Sequence, residues 1–158
     1  MHTYVATIAW ERGQDNFKDN SYSRGHRWSF DGGVEVPASS SPSVVPEPMS
    51  VAAAVDPEEA FVAAISSCHM LTFLWLAGKA GFVVDRYVDE AVGVMKRNEQ
   101  GRVAVTRVAL RPRIAFGGER QPTAEELDDL HHRAHEDCFI ANSVKTEIVV
   151  EAPVETGA

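Results

Sequence analysis

Two cysteines stand out, Cys68 inside ISSCHMLTF (residues 65–73) and Cys138 inside HHRAHEDCF (residues 131–139). A thiol reacts as its thiolate, so a reactive cysteine needs a cation or an equivalent donor beside it. Arg24 and Arg27 in YSRGHRW offer such cations, and Glu58 in DPEE could hold an arginine through a bidentate pair. Each has a plainer reading. Cys68 packs well as a small hydrophobe, the arginines fit a solvated strand face, and Glu58 fits a first-turn acid facing the helix dipole. Ser66, Ser67, His69 and Thr72 nonetheless set four polar side chains beside Cys68 in an otherwise apolar run. Polar groups are costly to bury without partners, which points to a polar pocket around the sulfur.

His131 and His135 have the i, i+4 spacing of helical zinc ligands. HHRAH lacks the glutamate of the HExxH motif, and histidines in the last turns of a helix also complement its dipole, so no metal ligands are assigned. His132 and His69 carry no assigned role. A Cys-His-acid hydrolase finds no strand-to-helix nucleophile elbow. A two-cysteine redox site, with Cys68 on a central helix and Cys138 ending a second, stands beside these as a third possibility.

The positioning elements follow from local signals. TYVATIAW and HRWSFDGGVEV read as strands of an N-terminal antiparallel meander over residues 1–36, turning at Asp31-Gly32-Gly33. Residues 37–56, with prolines at 37, 42, 46 and 48, read as an extended ordered loop. Asp56-Pro57-Glu58-Glu59 starts a helix over 57–80, stopped by Gly81 and apolar enough all round to be buried on nearly all sides. Residues 82–117 hold two β-rich segments joined at NEQG, where Gly101 closes a hairpin. Thr123 to Glu126 forms a capping box for a helix over 123–138, and a closing strand occupies 143–151. Strands, helix, strands, helix, strand is the order of an α+β fold, in a chain whose 158 residues suit one domain.

A formal net charge of −8 argues against non-specific nucleic-acid binding, which needs clustered Lys and Arg. Ser, His, Thr and Lys interrupt the longest apolar run before the ~20 residues of a bilayer span, so no membrane crossing is expected. MHTYVATIAWERG reads as no signal peptide, and a cytoplasmic setting is expected.

Over nearly the whole chain the sequence resembles the OsmC/Ohr family of thiol-dependent hydroperoxide reductases. The resemblance is carried by DPEEAFVAAISSCHM and by HHRAHEDCFIANSVKTEI. Phe139 stands where the Ohr branch usually has proline, and the loop at 37–56 is longer than in compact members. The resemblance implies one OsmC-like domain over 1–158, with antiparallel sheets wrapped around two central helices in an intertwined homodimer. It implies Cys68 as peroxidatic and Cys138 as resolving cysteine, with Glu58 and an N-terminal arginine as activators. Arg24 matches that arginine better than Arg27 by its spacing from Asp31-Gly32.

The implied activity is reduction of small organic hydroperoxides to alcohols, through a Cys68 sulfenate and a Cys68–Cys138 disulfide that an external dithiol reopens. No metal, flavin or haem is implied. Ten helical residues separate the Cα atoms of Glu58 and Cys68 by roughly 15 Å, so a shared pocket would take Glu58 and Arg24 from one chain and Cys68 from the other. A non-catalytic binding or redox-sensing protein of the same fold is the alternative.

Overall fold

The computed structural model describes residues 1–151. Its residues cluster into two units, Met1–Ala60 and the chain from Phe61 onward. In the first, β1 (Ala6–Ala9), β2 (His26–Phe30) and β3 (Glu35–Ala38) form the expected antiparallel meander, in the order β1-β2-β3. The turn between β2 and β3 is closed by the Phe30 and Gly33 amides, which donate to the Val34 and Phe30 carbonyls.

The proline-rich loop is ordered. Pro37 already pairs with Arg27 as part of β3, and Ser39 is fully buried, its hydroxyl accepting from the Val51 amide at 2.9 Å. Ser39 and Val55 close the base of the loop through the backbone bonds Ser39 N to Val55 O and Val55 N to Pro37 O.

Helix α1 spans Pro57–Lys79. Asp56 and Glu59 cap it reciprocally, each carboxylate accepting the other's backbone N–H at 2.8 Å. Gly81, at φ +86°, ends it: only a residue free to enter the left-handed region lets the Phe82 amide fold back onto the Ala77 carbonyl.

The β-rich segments divide further than the sequence suggests. They form β4 (Val83–Asp89), β5 (Val92–Arg97), β6 (Val103–Leu110) and β7 (Pro112–Gly117). The hairpin at NEQG joins β5 to β6, with Gly101 at φ +76°. The outer strands β4 and β7 pair with each other in a separate two-stranded sheet. Helix α2 (Ala124–Asp137) begins with the expected capping box, in which Thr123 and Glu126 exchange side-chain-to-backbone bonds.

A short 3-10 turn at Ala141–Ser143 precedes β8, which is confined to Glu147–Val150 rather than beginning at residue 143. β8 runs parallel to β6, so this sheet is mixed rather than purely antiparallel. The chain reaches β8 only after the long crossover through β7 and α2, the kind of connection a parallel neighbour requires.

Two cores hold α1. Phe73, Leu76 and Ala77 pack with Phe82 and with Leu130 and Ala134 of α2, against Tyr87 and Phe116 of the β4–β7 sheet. About two turns earlier, Ile65 packs with Val108 and Leu110 of β6. The helix is not buried on all sides, contrary to the expectation from its composition: Leu71 is 61% and Trp75 59% exposed, on a face the single chain leaves uncovered. With 23 residues and a mean hydropathy of 1.7 over its most apolar window, α1 also has the length and composition of a membrane span, despite its polar interruptions. Here the opposite face of the helix is taken up by the two protein cores.

Candidate active site

Cys68 lies half-buried in the middle of α1, its thiol free, its carbonyl accepting the Thr72 hydroxyl at 2.9 Å. Cys138 is the C-cap of α2 and is 1% exposed. The structure brings these cysteines near enough for the Cys68 thiol to act on that of Cys138. Burial pushes the Cys138 thiol up from its ordinary value, and Cys68 adds to the rise. The backbone N–H groups of Ala141 and Ile140 oppose it, the former donating to Sγ at 3.4 Å. Cys138 is thus held as a neutral thiol beside a more accessible partner.

The activating residues proposed from sequence lie in the first unit. Arg24 precedes β2, and its backbone N–H donates to the Met49 carbonyl at 2.7 Å. Its guanidinium donates to the carbonyls of Asn20 and Tyr22 and lies 3.8 Å from the centre of the Tyr22 ring. His26 fixes the same loop. Its Nε2 accepts the Trp28 indole N–H at 3.1 Å, which leaves Nδ1 as the donor to the Arg24 carbonyl at 2.7 Å. Arg27 points elsewhere, into an exposed cross-strand pair with Glu35 at 3.2 Å. Glu58 sits in the first turn of α1, and its Oε2 is buried without a hydrogen-bond partner among the described residues. A carboxylate oxygen in that position lacks the donor that would stabilise its charge.

The polar residues around Cys68 take specific partners. Ser66 donates its hydroxyl to Asp89 Oδ2 at the end of β4, and Asp89 Oδ1 accepts the Arg111 N–H at 2.6 Å. His69 is 1% and His131 9% exposed, and their rings stack across α1 and α2 with planes 11° apart and Nε2 to Nδ1 at 3.0 Å. The facing nitrogens share one proton. His69 Nδ1 has no partner among the described residues, so His69 is the donor through Nε2; the reverse tautomer would bury an orphaned N–H. Burial, then His131 and His135, lowers the His69 pKa to about 4. Burial also lowers that of His131, against the pull of Asp128 and Asp89. Both rings are neutral at pH 7.

Sequence reasoning did not pair His69 with His131 or place Asp89. The signal for the first was the spacing of Ile65, His69 and Phe73, which puts His69 on the stripe that becomes the core. His132 is exposed and pairs with Glu136 at 3.2 Å. Among the described residues, no group of three or more His, Cys, Asp or Glu is placed to hold a metal ion.

Residues 50–152 match the OsmC-like protein family. An OsmC-like protein of unknown function from Vibrio cholerae is 54% identical over 96% of this chain and 99% of its own, with a TM-score of 0.94. An organic hydroperoxide resistance protein from Legionella pneumophila has the same fold at 15% identity, TM-score 0.71, covering 98% of both chains. Another from Elizabethkingia anophelis aligns at 20% identity, TM-score 0.69, over 96% of this chain and 97% of that one. No curated protein sequence matches. On the family match and the Vibrio relative together, the chain belongs to the OsmC-like protein family.

Proposed function

We propose that the protein is a thiol-dependent peroxidase that reduces organic hydroperoxides to alcohols, with Cys68 as the attacking thiol and Cys138 as the resolving one. The observation that carries this reading is the approach of a half-buried thiol to a fully buried, neutral one, each on its own helix. Resistance to organic hydroperoxides, the property named for the Legionella and Elizabethkingia proteins of the same fold, is consistent with it.

In the first step the Cys68 thiolate attacks the distal peroxide oxygen. The S–O bond forms, the O–O bond breaks, and the departing alkoxide takes a proton to leave as alcohol. In the second, the Cys138 thiol condenses with the Cys68 sulfenic acid; a disulfide forms and water leaves. An external dithiol reopens the disulfide by exchange. Arg24 stabilises the thiolate and the developing alkoxide, and Glu58 orients Arg24, both reaching Cys68 from a second copy of the chain. The exposed Leu71 and Trp75 on the Cys68 helix give that copy an apolar face to cover.

Stoichiometric consumption of an alkyl hydroperoxide by the reduced protein tests the reading. Cys68→Ser should abolish consumption, and Cys138→Ser should consume one equivalent and stop as a sulfenate trapped by dimedone. A wild-type protein that consumes none is instead a binding or redox-sensing member of the family.

A further inference from the structure

We propose that His69 and His131 are positioning residues for the dithiol: their ring-to-ring hydrogen bond fixes α2 on α1 so that Cys138 faces Cys68. The proposal rests on the dithiol reading above and gives the buried histidines a part in it.

Three observations carry it. First, each histidine shares an element with a cysteine. His69 directly follows Cys68 on α1, and His131 precedes Cys138 by seven residues on α2. Seven residues return a helix to within about 20° of the same face, so the side of α2 that His131 presents to α1 is the side on which Cys138 emerges. A tie at His131 therefore sets the rotation of α2 about its axis, and with it the direction of the Cys138 sulfur roughly 10 Å further along.

Second, the contact is directional where its surroundings are not. Leu130 and Ala134, which flank His131 on α2, pack against Phe73, Leu76 and Ala77, and apolar contacts of this kind tolerate sliding. The 3.0 Å bond between His69 Nε2 and His131 Nδ1 does not, and Phe73 closes over the His131 ring at 4.5 Å between centroids.

Third, α1 is itself anchored beside Cys68. Ser66 is bound to Asp89, and Asp89 also accepts the Arg111 amide between β6 and β7. The turn carrying Cys68 is thus tied to the sheet through Ser66 and to α2 through His69.

Closing the disulfide forms an S–S bond and breaks the S–O bond of the Cys68 sulfenic acid, and water leaves with the proton of the Cys138 thiol. Its geometry is narrow, with Cα atoms usually about 4.4–6.8 Å apart. A misplacement of about 1 Å can lower the effective concentration of reacting groups by roughly a hundredfold. Loss of the histidine tie should lower the effective concentration of the two thiols by about tenfold, which raises the two-electron reduction potential by about 30 mV.

The test equilibrates the intact protein with glutathione buffers and measures disulfide closure without any peroxide. His69→Gln keeps an amide donor where Nε2 stood, and His69→Leu keeps the volume without it. His131→Asn keeps an acceptor where Nδ1 stood, and His131→Leu removes it; this second pair gives the same reading should His69→Leu fail to fold. The expected result is a potential near wild type for His69→Gln and His131→Asn, and a shift of about 30 mV for the leucine variants. Leucine variants at the wild-type potential overturn the proposal, as do conservative variants that shift as far as the leucines. Because no peroxide enters this measurement, its failure is separate from a failure to consume hydroperoxide, which would sink the enzymatic reading.

Discussion

Ser66 and Asp89 join the helix that carries Cys68 to the end of β4, the hydroxyl donating to one carboxylate oxygen while the other accepts the Arg111 amide at 2.6 Å. Removing the carboxylate leaves a partly buried hydroxyl and a backbone N–H without their acceptor. Hydrogen bonds to a charged group contribute about 1.5–3 kcal/mol each, so Asp89→Ala, which loses two, should destabilise the fold by roughly 3–6 kcal/mol in urea denaturation. Ser66→Ala, which loses one bond and leaves a charged acceptor still engaged by Arg111, should cost about half as much, roughly 1.5–3 kcal/mol. Equal effects for the two would mean that Asp89 is not the hub of the contact.

The cysteines should separate cleanly by reactivity. Cys138 is buried and its thiol is pushed up by that burial and by Cys68, whereas Cys68 is only half-buried. Iodoacetamide reacts with thiolate, so at neutral pH it should modify Cys68 roughly tenfold or more faster, with Cys138 labelled readily only after unfolding. Peptide mapping by mass spectrometry gives the order directly. Cys138 modified first in the native protein would reverse the assignment of attacking and resolving thiols.

Acid should weaken the fold in a window set by the buried histidines. His69 titrates near 6.5 when unfolded and at about 4 when folded, lowered by burial and then by His131 and His135. Between these values the unfolded chain binds the proton and the native one does not, so stability falls as pH drops from 6.5 toward 4. A shift of that size corresponds to about 3 kcal/mol for His69. His131, lowered by burial but supported by Asp128 and Asp89, adds in the same direction. Urea midpoints between pH 7.5 and 4.5 should show the loss, and His69→Gln, which cannot titrate, should flatten the slope. An unchanged slope in that variant would place the acid sensitivity elsewhere.

Local signals carried most of what was legible in the sequence. Asp56 with Glu59 and Thr123 with Glu126 start the helices where their caps fall, and Gly81 and Gly101 mark a stop and a turn that need positive φ. Pairings between distant segments were less accessible. Nothing local says that β4 pairs with β7 while the hairpin between them joins β8 in another sheet. His69 and His131 are 62 residues apart, and each looks like a polar interruption until its partner is present. The uncovered face at Leu71 and Trp75 escaped because an apolar composition all round a helix does not say whether its own chain or another covers it.

That uncovered face leads to the sharpest prediction about the proposed site. If Arg24 and Glu58 reach Cys68 from a second copy, a dimer holds two sites and each site needs both chains. Cys68→Ser and Arg24→Ala proteins should then each be nearly inactive alone. Denatured together and refolded as an equal mixture, half of the dimers pair one variant chain with the other. Each such dimer contains one site with an intact Cys68 opposite an intact Arg24, and one site lacking both. Activity should therefore return to about a quarter of that of wild type, the value for random pairing of a two-fold assembly. A site built within one chain would recover nothing on mixing, because no chain in the mixture carries both residues. Leu71→Asp with Trp75→Asp, which puts two charges on the face to be covered, should yield monomers by sedimentation and abolish the recovery. Mixing without recovery, in refolded protein shown to be dimeric, would place the activating arginine on the same chain as its cysteine.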